Sequence, residues 1–138
     1  MIRHATLDDL DALVGIEDSS FDSDRMSRRS FRYLLTEGNA ETLVEEENGV
    51  IRGYSMLLFN MGTSLARLYS LAVAPAYQRQ GVAGRLVQAS EDAARGHDCV
   101  SLRLEIRKDN IPSINLFRHH GYREFGVHAD YYEDHMDA

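Results

Sequence analysis

"LAVAPAYQRQGVAGRL", residues 71–86, decides how the rest of the chain is read. An apolar, β-prone run from Ala66 to Ala74 ends at Pro75. Gln78, Arg79 and Gln80 then lead into Gly81, Val82, Ala83 and Gly84, where a helical pattern begins. A helix start leaves main-chain N–H groups without partners and carries about half a positive charge. A phosphate group satisfies both. It needs backbone stripped of bulk to come close, and Gly81, Ala83 and Gly84 meet that need. Arg79 adds a guanidinium fork.

Other readings of the same residues compete. A P-loop requires Gly-Lys-Ser/Thr, whereas Gly84 is followed by Arg85-Leu86, so that reading fails. A dinucleotide fingerprint requires three glycines and normally opens its fold. Only two are present and three strands precede the one that leads into them, although Glu105, 24 positions beyond Gly81, imitates the ribose-binding acid. A turn that merely starts a helix remains open on the glycines alone.

Working outward, "MIRHA" reads as a first strand, and Thr6 as the cap of a helix with Leu7, Leu10, Leu13 and Val14. Ser27 caps a second helix with Phe31, Leu34 and Leu35, stopped by Gly38. Two β-prone runs joined at Asn48-Gly49 predict a hairpin. The helix after Gly81 puts Ala83, Leu86, Val87, Ser90 and Ala94 on one face and stops at Gly96. "VSLRLEIR", Val100 to Arg107, alternates strictly and predicts a strand with Glu105 on its polar face. Asp109 or Asn110 caps a last helix, Gly121 ends it, and "YREFGVHADYY" predicts a further strand. The order β-α-α-β-β-β-α-β-α-β means an α/β (α+β) domain with helices packed on a mixed sheet.

The 138 residues suit a single domain, residues 1–138. A formal charge of −7 argues against nucleic acid as a partner but not against a small anion held by local arginines. No apolar run approaches a membrane span, and "MIRHATLDDL" has no secretory segment. With Cys99 the sole cysteine, a cytoplasmic protein is expected. The histidines include no His-x-x-x-His pair, so no metal is expected. The acidic runs "DDLD" and "EEE" read as solvated faces.

"LAVAPAYQRQGVAGRL" resembles the acetyl-CoA signature of the GNAT N-acetyltransferases, Gln/Arg-x-x-Gly-x-Gly/Ala after a strand, here Gln78-x-x-Gly81-x-Ala83. "LEIRKDNIPSINLFRHHGY" and "DYYEDHMDA" are similar to the ribosomal-protein-alanine acetyltransferase (RimI-like) branch. Its Leu-Glu-Val-Arg, Asn-x-x-Ala, Leu-Tyr, Gly-Phe and Tyr-Tyr elements occur in the same order. The resemblance covers about Ala66 to Ala138. It implies a GNAT fold with a mostly antiparallel sheet of about six to seven strands and helices on both faces.

The resemblance also implies roles. Backbone of Leu71, Ala72 and Val73 pairs with the pantetheine arm of acetyl-CoA. Arg79, Gln80, Gly81, Val82, Ala83 and Gly84 hold the pyrophosphate, with Asn110, Ser113 and Phe117 near the cofactor's far end. Arg85 is either a phosphate ligand or solvated. Glu105 matches the general base, and the arginines beside it favour a water relay over direct abstraction. The reaction acetylates a primary amine, first a protein N-terminal α-amine and second a small amine or polyamine. A non-catalytic acyl-CoA-binding module is the rival.

The family's general acid is the tyrosine of Leu-Tyr, and here the pair is Leu116-Phe117. Tyr131 is the candidate substitute, and Tyr131 with Tyr132 is expected to line the peptide site. Phe21, Asp22 and Arg25 fall in the region that borders the acceptor in the family. Relatives continue into a final strand after the position of Ala138, so either that strand is missing or the chain is cut from a larger protein, and an unpaired sheet edge is expected to lower stability or promote dimerisation. A monomer or homodimer with no membrane partner is expected.

Overall fold

The computed structural model describes residues 1–21, 24–37, 39–60, 62–106, 108–126, 129, 131 and 136–138. They form two units, Met1–Leu104 and Glu105–Ala138.

In the first unit the elements are β1 (Ile2–His4), α1 (Leu10–Ser20), α2 (Arg28–Thr36), β2 (Ala40–Glu47), β3 (Val50–Phe59), β4 (Leu65–Val73), α3 (Val82–Gly96) and β5 (Ser101–Arg103). Short 3₁₀ turns precede α1 at Leu7–Asp9 and α3 at Pro75–Tyr77. The strands lie in the order β1-β2-β3-β4-β5, antiparallel up to β4, with β5 parallel to β4. Local signals explain most of the boundaries. Asn48 and Gly49 both have positive φ, 52° and 80°, as the tight hairpin turn requires. Ser27 Oγ accepts from the N–H of Ser30 at 3.1 Å and starts α2. Thr6 is the N-cap of the turn that leads into α1, and the Asp9 carboxylate accepts from its N–H at 2.8 Å as the return arm of a capping box.

Successive residues of the central strands enter different cores, so helices cover both faces. Val44, Tyr54, Met56 and Ala72 pack with Leu10, Leu13, Ile16 and Phe31 from α1 and α2. Leu43, Leu71 and Val73 pack with Val82 and Leu86 from α3. Gly53 lets α3 settle onto this second face. A Cβ there would meet the carbonyl oxygen of Ala72 at 3.0 Å, Val82 Cγ1 at 3.0 Å and Leu86 Cδ1 at 3.1 Å. Gly53→Ala is therefore expected to lower stability by about 1–3 kcal/mol, read by urea unfolding, because the backbone oxygen cannot give way.

Two β-bulges interrupt the ladders. Glu45 pairs with Gly53 and Glu46 with Ile51, so Arg52 is an extra residue on β3. Met56 pairs with Ser70 and Leu57 with Leu68, so Tyr69 is an extra residue on β4. A bulge re-aims the side chain it carries.

The sheet has five strands among the described residues, not six to seven. The strand expected over Val100 to Arg107 is only Ser101–Arg103. Pairing with β4 ends at Arg67–Arg103, Val100 is 83% exposed, and Leu104 to Ile106 lack regular structure. Alternation shows that a segment is able to pair; it does not supply the partner. Residues 122–126 of the expected last strand are irregular as well. Gly38 and Arg107 lie outside the described residues.

The second unit contains α4 (Ile111–His119). Asn110 Oδ1 caps it by accepting from the N–H of Ser113 at 3.3 Å. The buried Phe117 ring meets Tyr122 edge to face, centroids 5.2 Å apart. The N–H of Lys108 donates to the carbonyl of Asp137 at 3.0 Å.

Candidate active site

β4 has one paired edge and one mostly open edge. Its ladder with β3 runs from Ala66 to Val73, whereas its ladder with β5 covers only Leu65 to Arg67. The N–H of Ala74 donates to the carbonyl of Arg52 at 2.8 Å, so position 74 faces β3. Main-chain groups alternate sides along a strand, which turns those of Val73 and Leu71 toward the open edge. In agreement, the carbonyl of Val73 accepts from Gln78 Nε2 at 3.4 Å rather than from a strand. Among the described residues no strand besides β3 pairs with β4 along Leu71 to Val73, so an extended chain placed along this edge would meet strand backbone that no other strand uses.

That edge leads into the turn before α3. Arg79 and Gly81 both have positive φ, 64° and 81°. Gly81 is the N-cap of α3 and supplies no side-chain cap. The N–H of Arg85 returns to the carbonyl of Gly81 at 3.1 Å, while the amides of Val82, Ala83 and Gly84 begin the helix ahead of it. Successive amides across such a turn form an anion-binding concavity. The Val82 side chain is buried in the core, which leaves its N–H as the group it offers to the turn.

Arg85 is engaged by protein groups rather than merely solvated. Its Nε donates to Glu45 Oε1 at 2.5 Å and its Nη2 to Glu45 Oε2 at 3.1 Å. Arg52, placed by its bulge, donates to Glu45 Oε2 at 2.7 Å and lies over the Tyr77 ring at 5.9 Å. Arg85 Nη1 also reaches the carbonyl of Gln80 at 3.2 Å, and a Cβ on Gly81 would sit 2.9 Å from that same nitrogen. One carboxylate thus ties β2, β3 and the first turn of α3 together. Glu45, within the run expected to be solvated, is 2% exposed.

The Arg85 guanidinium, with Arg52 behind it, holds the Glu45 carboxyl below the usual carboxylate range against its burial. A depressed pKa adds stability that is present above the unfolded value of about 4.3 and is lost as pH falls through the folded value. Glu45→Gln is expected to cost about 2–4 kcal/mol at pH 7, toward the lower end because half of Arg85 is in solvent. The wild type and the variant should converge only as pH falls below the usual carboxylate range and through the depressed folded value, as followed by acid titration of unfolding.

The remaining expected residues fall in separate places. Asn110, Ser113 and Phe117 occupy the start and interior of α4 in the second unit; Asn110 is engaged as the helix cap and Phe117 is buried. Glu105 is half-buried in the irregular segment after β5, not on a strand. Tyr131 is 42% exposed, and Tyr132 and Asp22 lie outside the described residues. Phe21 ends α1 and packs against the α1–α2 core. Among the described residues no group of three metal-ligating side chains is placed to hold an ion.

On the opposite face, the Tyr69 bulge opens a cavity of about 480 Å³ lined by Arg29, Ser30, Tyr33, Leu34, Leu58 and Tyr69. The α1–α2 connection beside it is pinned from below. Glu17 accepts from the Tyr54 hydroxyl and from the N–H of Met26 (2.6 Å), and the same hydroxyl lies 2.7 Å from Ser70 Oγ. Burial, with the Glu17 charge, pushes the Tyr54 hydroxyl pKa upward, so it serves as a donor. Nothing in the residue pattern announces these contacts, whereas an isolated glycine inside a strand, as at Gly53, signals the close approach of α3 on the other face.

The acetyltransferase (GNAT) family matches residues 7–122. The chain belongs to that family. Its GNAT fold recurs in the crystal structure of the ribosomal-protein-S18-alanine N-acetyltransferase from Escherichia coli, with TM-score 0.88 and 26% identity over 99% of this chain and 88% of that one. The fold is also that of Ard1 from Thermoplasma volcanium, with TM-score 0.90 and 24% identity over 99% and 91% of the two chains. An N-alpha-acetyltransferase of Sulfurisphaera tokodaii is 31% identical over 99% of this chain and 88% of its own length. This GNAT chain is accordingly an N-acetyltransferase, and acetyl-CoA is the donor that the family uses.

Proposed function

We propose that residues 1–138 form one acetyltransferase domain that acetylates the α-amino group of a protein N-terminus without a metal. The observation that carries this reading is the continuity of the open β4 edge with the left-handed turn before α3. A narrow arm with a diphosphate at one end matches that sequence of groups. Leu71 and Val73 would pair with the arm, while Arg79, Gln80 and the amides of Gly81 through Gly84 take the diphosphate. Asn110, Ser113 and Phe117 would complete the far end. Acetyl-CoA supplies an acyl group activated as a thioester.

The acceptor must lose a proton to attack. An α-ammonium has a pKa of about 8 and a lysine about 10.4, so the α-amine needs less help. Glu105 takes that proton through a water, and the outward N–H groups at the end of β4 offer hydrogen bonds to the acyl oxygen. Phe117 has no proton to give; Tyr131 is the candidate donor to the departing sulfur, with Tyr132 and Phe21 toward the peptide. The loss is tolerable because a thiol of pKa about 8.5 leaves as thiolate. The cavity at Tyr69 and α2 receives the chain behind the amine. The relatives, an S18-alanine N-acetyltransferase and an N-alpha-acetyltransferase, support an N-terminal acceptor.

The test is thiol release from acetyl-CoA with peptides that begin with alanine, their α-amine either free or blocked. Release only with the free α-amine is expected. Equal release from a blocked peptide that retains a lysine would overturn the assignment.

A further inference from the structure

The cavity beside α2 contains one cation, Arg29, among walls that are mostly aromatic or aliphatic. Its neighbours are engaged: Arg28 Nη1 pairs with Asp11 Oδ1 at 2.6 Å, and Arg25 Nε donates to the carbonyl of Phe21 at 2.5 Å. Among the described residues no carboxylate pairs with Arg29. Arg67 lies over the Tyr69 ring at 5.3 Å. A chain whose formal charge is −7 thus presents an unmatched guanidinium in a cavity suited to peptide side chains.

We infer that this cavity selects acceptor N-termini carrying an aspartate or glutamate at the second or third residue. The inference rests on the N-terminal acetylation proposed above. Tyr69 lies two residues from Leu71, about 7 Å along the strand. An extended peptide covers a similar distance in two residues. With the acyl group carried along the β4 edge as far as Leu71, a side chain one or two positions behind the amine comes within reach of the cavity that Arg29 lines. A carboxylate there makes a charge-assisted, two-pronged contact beside apolar walls. The acidic surface elsewhere opposes such a peptide, but its field is screened beyond about 8 Å at physiological salt, whereas the close contact at Arg29 is weakened less.

The experiment compares kcat/KM for peptides identical except for glutamate, alanine or lysine at positions two and three. The wild type should favour the glutamate peptide over the lysine peptide about tenfold, with the ratio shrinking as salt rises. Arg29→Glu should reverse the order, a result that misfolding cannot produce. Equal use of all three peptides, or an unreversed order in Arg29→Glu, would overturn the inference while leaving N-terminal acetylation standing. Absence of thiol release with every peptide would instead remove the acetylation reading, and the inference with it.

Discussion

Gly81→Val is expected to weaken CoA binding at least about 100-fold by calorimetry. Two effects combine. Gly81 has φ of +81°, a region that costs an L-residue roughly 1–2 kcal/mol and a β-branched one more. Its Cβ would also stand 2.9 Å from Arg85 Nη1, so the guanidinium must leave either the turn or Glu45. The turn then opens, and the amides of Val82 to Gly84 no longer converge. About 3 kcal/mol of lost alignment corresponds to the stated factor. Gly81→Ala should fall between, and a thermal melt separates lost binding from lost folding. Binding within fivefold of wild type would dissociate this turn from the donor.

Glu105→Gln is expected to reduce turnover by about 10²- to 10⁴-fold at pH 7 with an α-amine acceptor, and CoA affinity should change little. The deficit should narrow as pH rises toward about 8, where a growing share of the amine is already neutral. Stopped assays across pH 6–9 with one peptide check both parts. An unchanged rate, or a deficit that stays constant with pH, would remove Glu105 from proton transfer.

Much of this architecture was legible before any coordinates because local chemistry sets it. Asn48-Gly49 permits two consecutive left-handed residues, Ser27 and Asn110 cap the helices they precede, and Gly81 occupies the conformation that its helix start requires. The outline of the proposed donor site was legible for the same reason, since main-chain amides would form it. The brace behind it was not. Glu45 belongs to a glutamate run that reads as solvent-facing, and its partner Arg85 is 40 residues away. Arg85 looks like a ligand or a free charge until β2 and α3 are brought together. The length of β5 was misjudged because alternation from Val100 to Arg107 states a preference, whereas pairing depends on how far β4 accompanies it. The cavity at Tyr69 depends on a bulge, which leaves no mark in hydrophobic pattern.

That supernumerary residue sets the parity of the whole strand. Upstream of it, odd and even positions of β4 address opposite sides in one phase; downstream they do so in the other. A one-residue deletion at Tyr69 would therefore turn over every position on one flank, exchanging Leu71 and Val73 with Ala72 between the two layers. A point substitution alters the lining of one cavity, but a deletion here rewires which half of the molecule each side chain belongs to. Length, more than identity, is what this strand has to preserve.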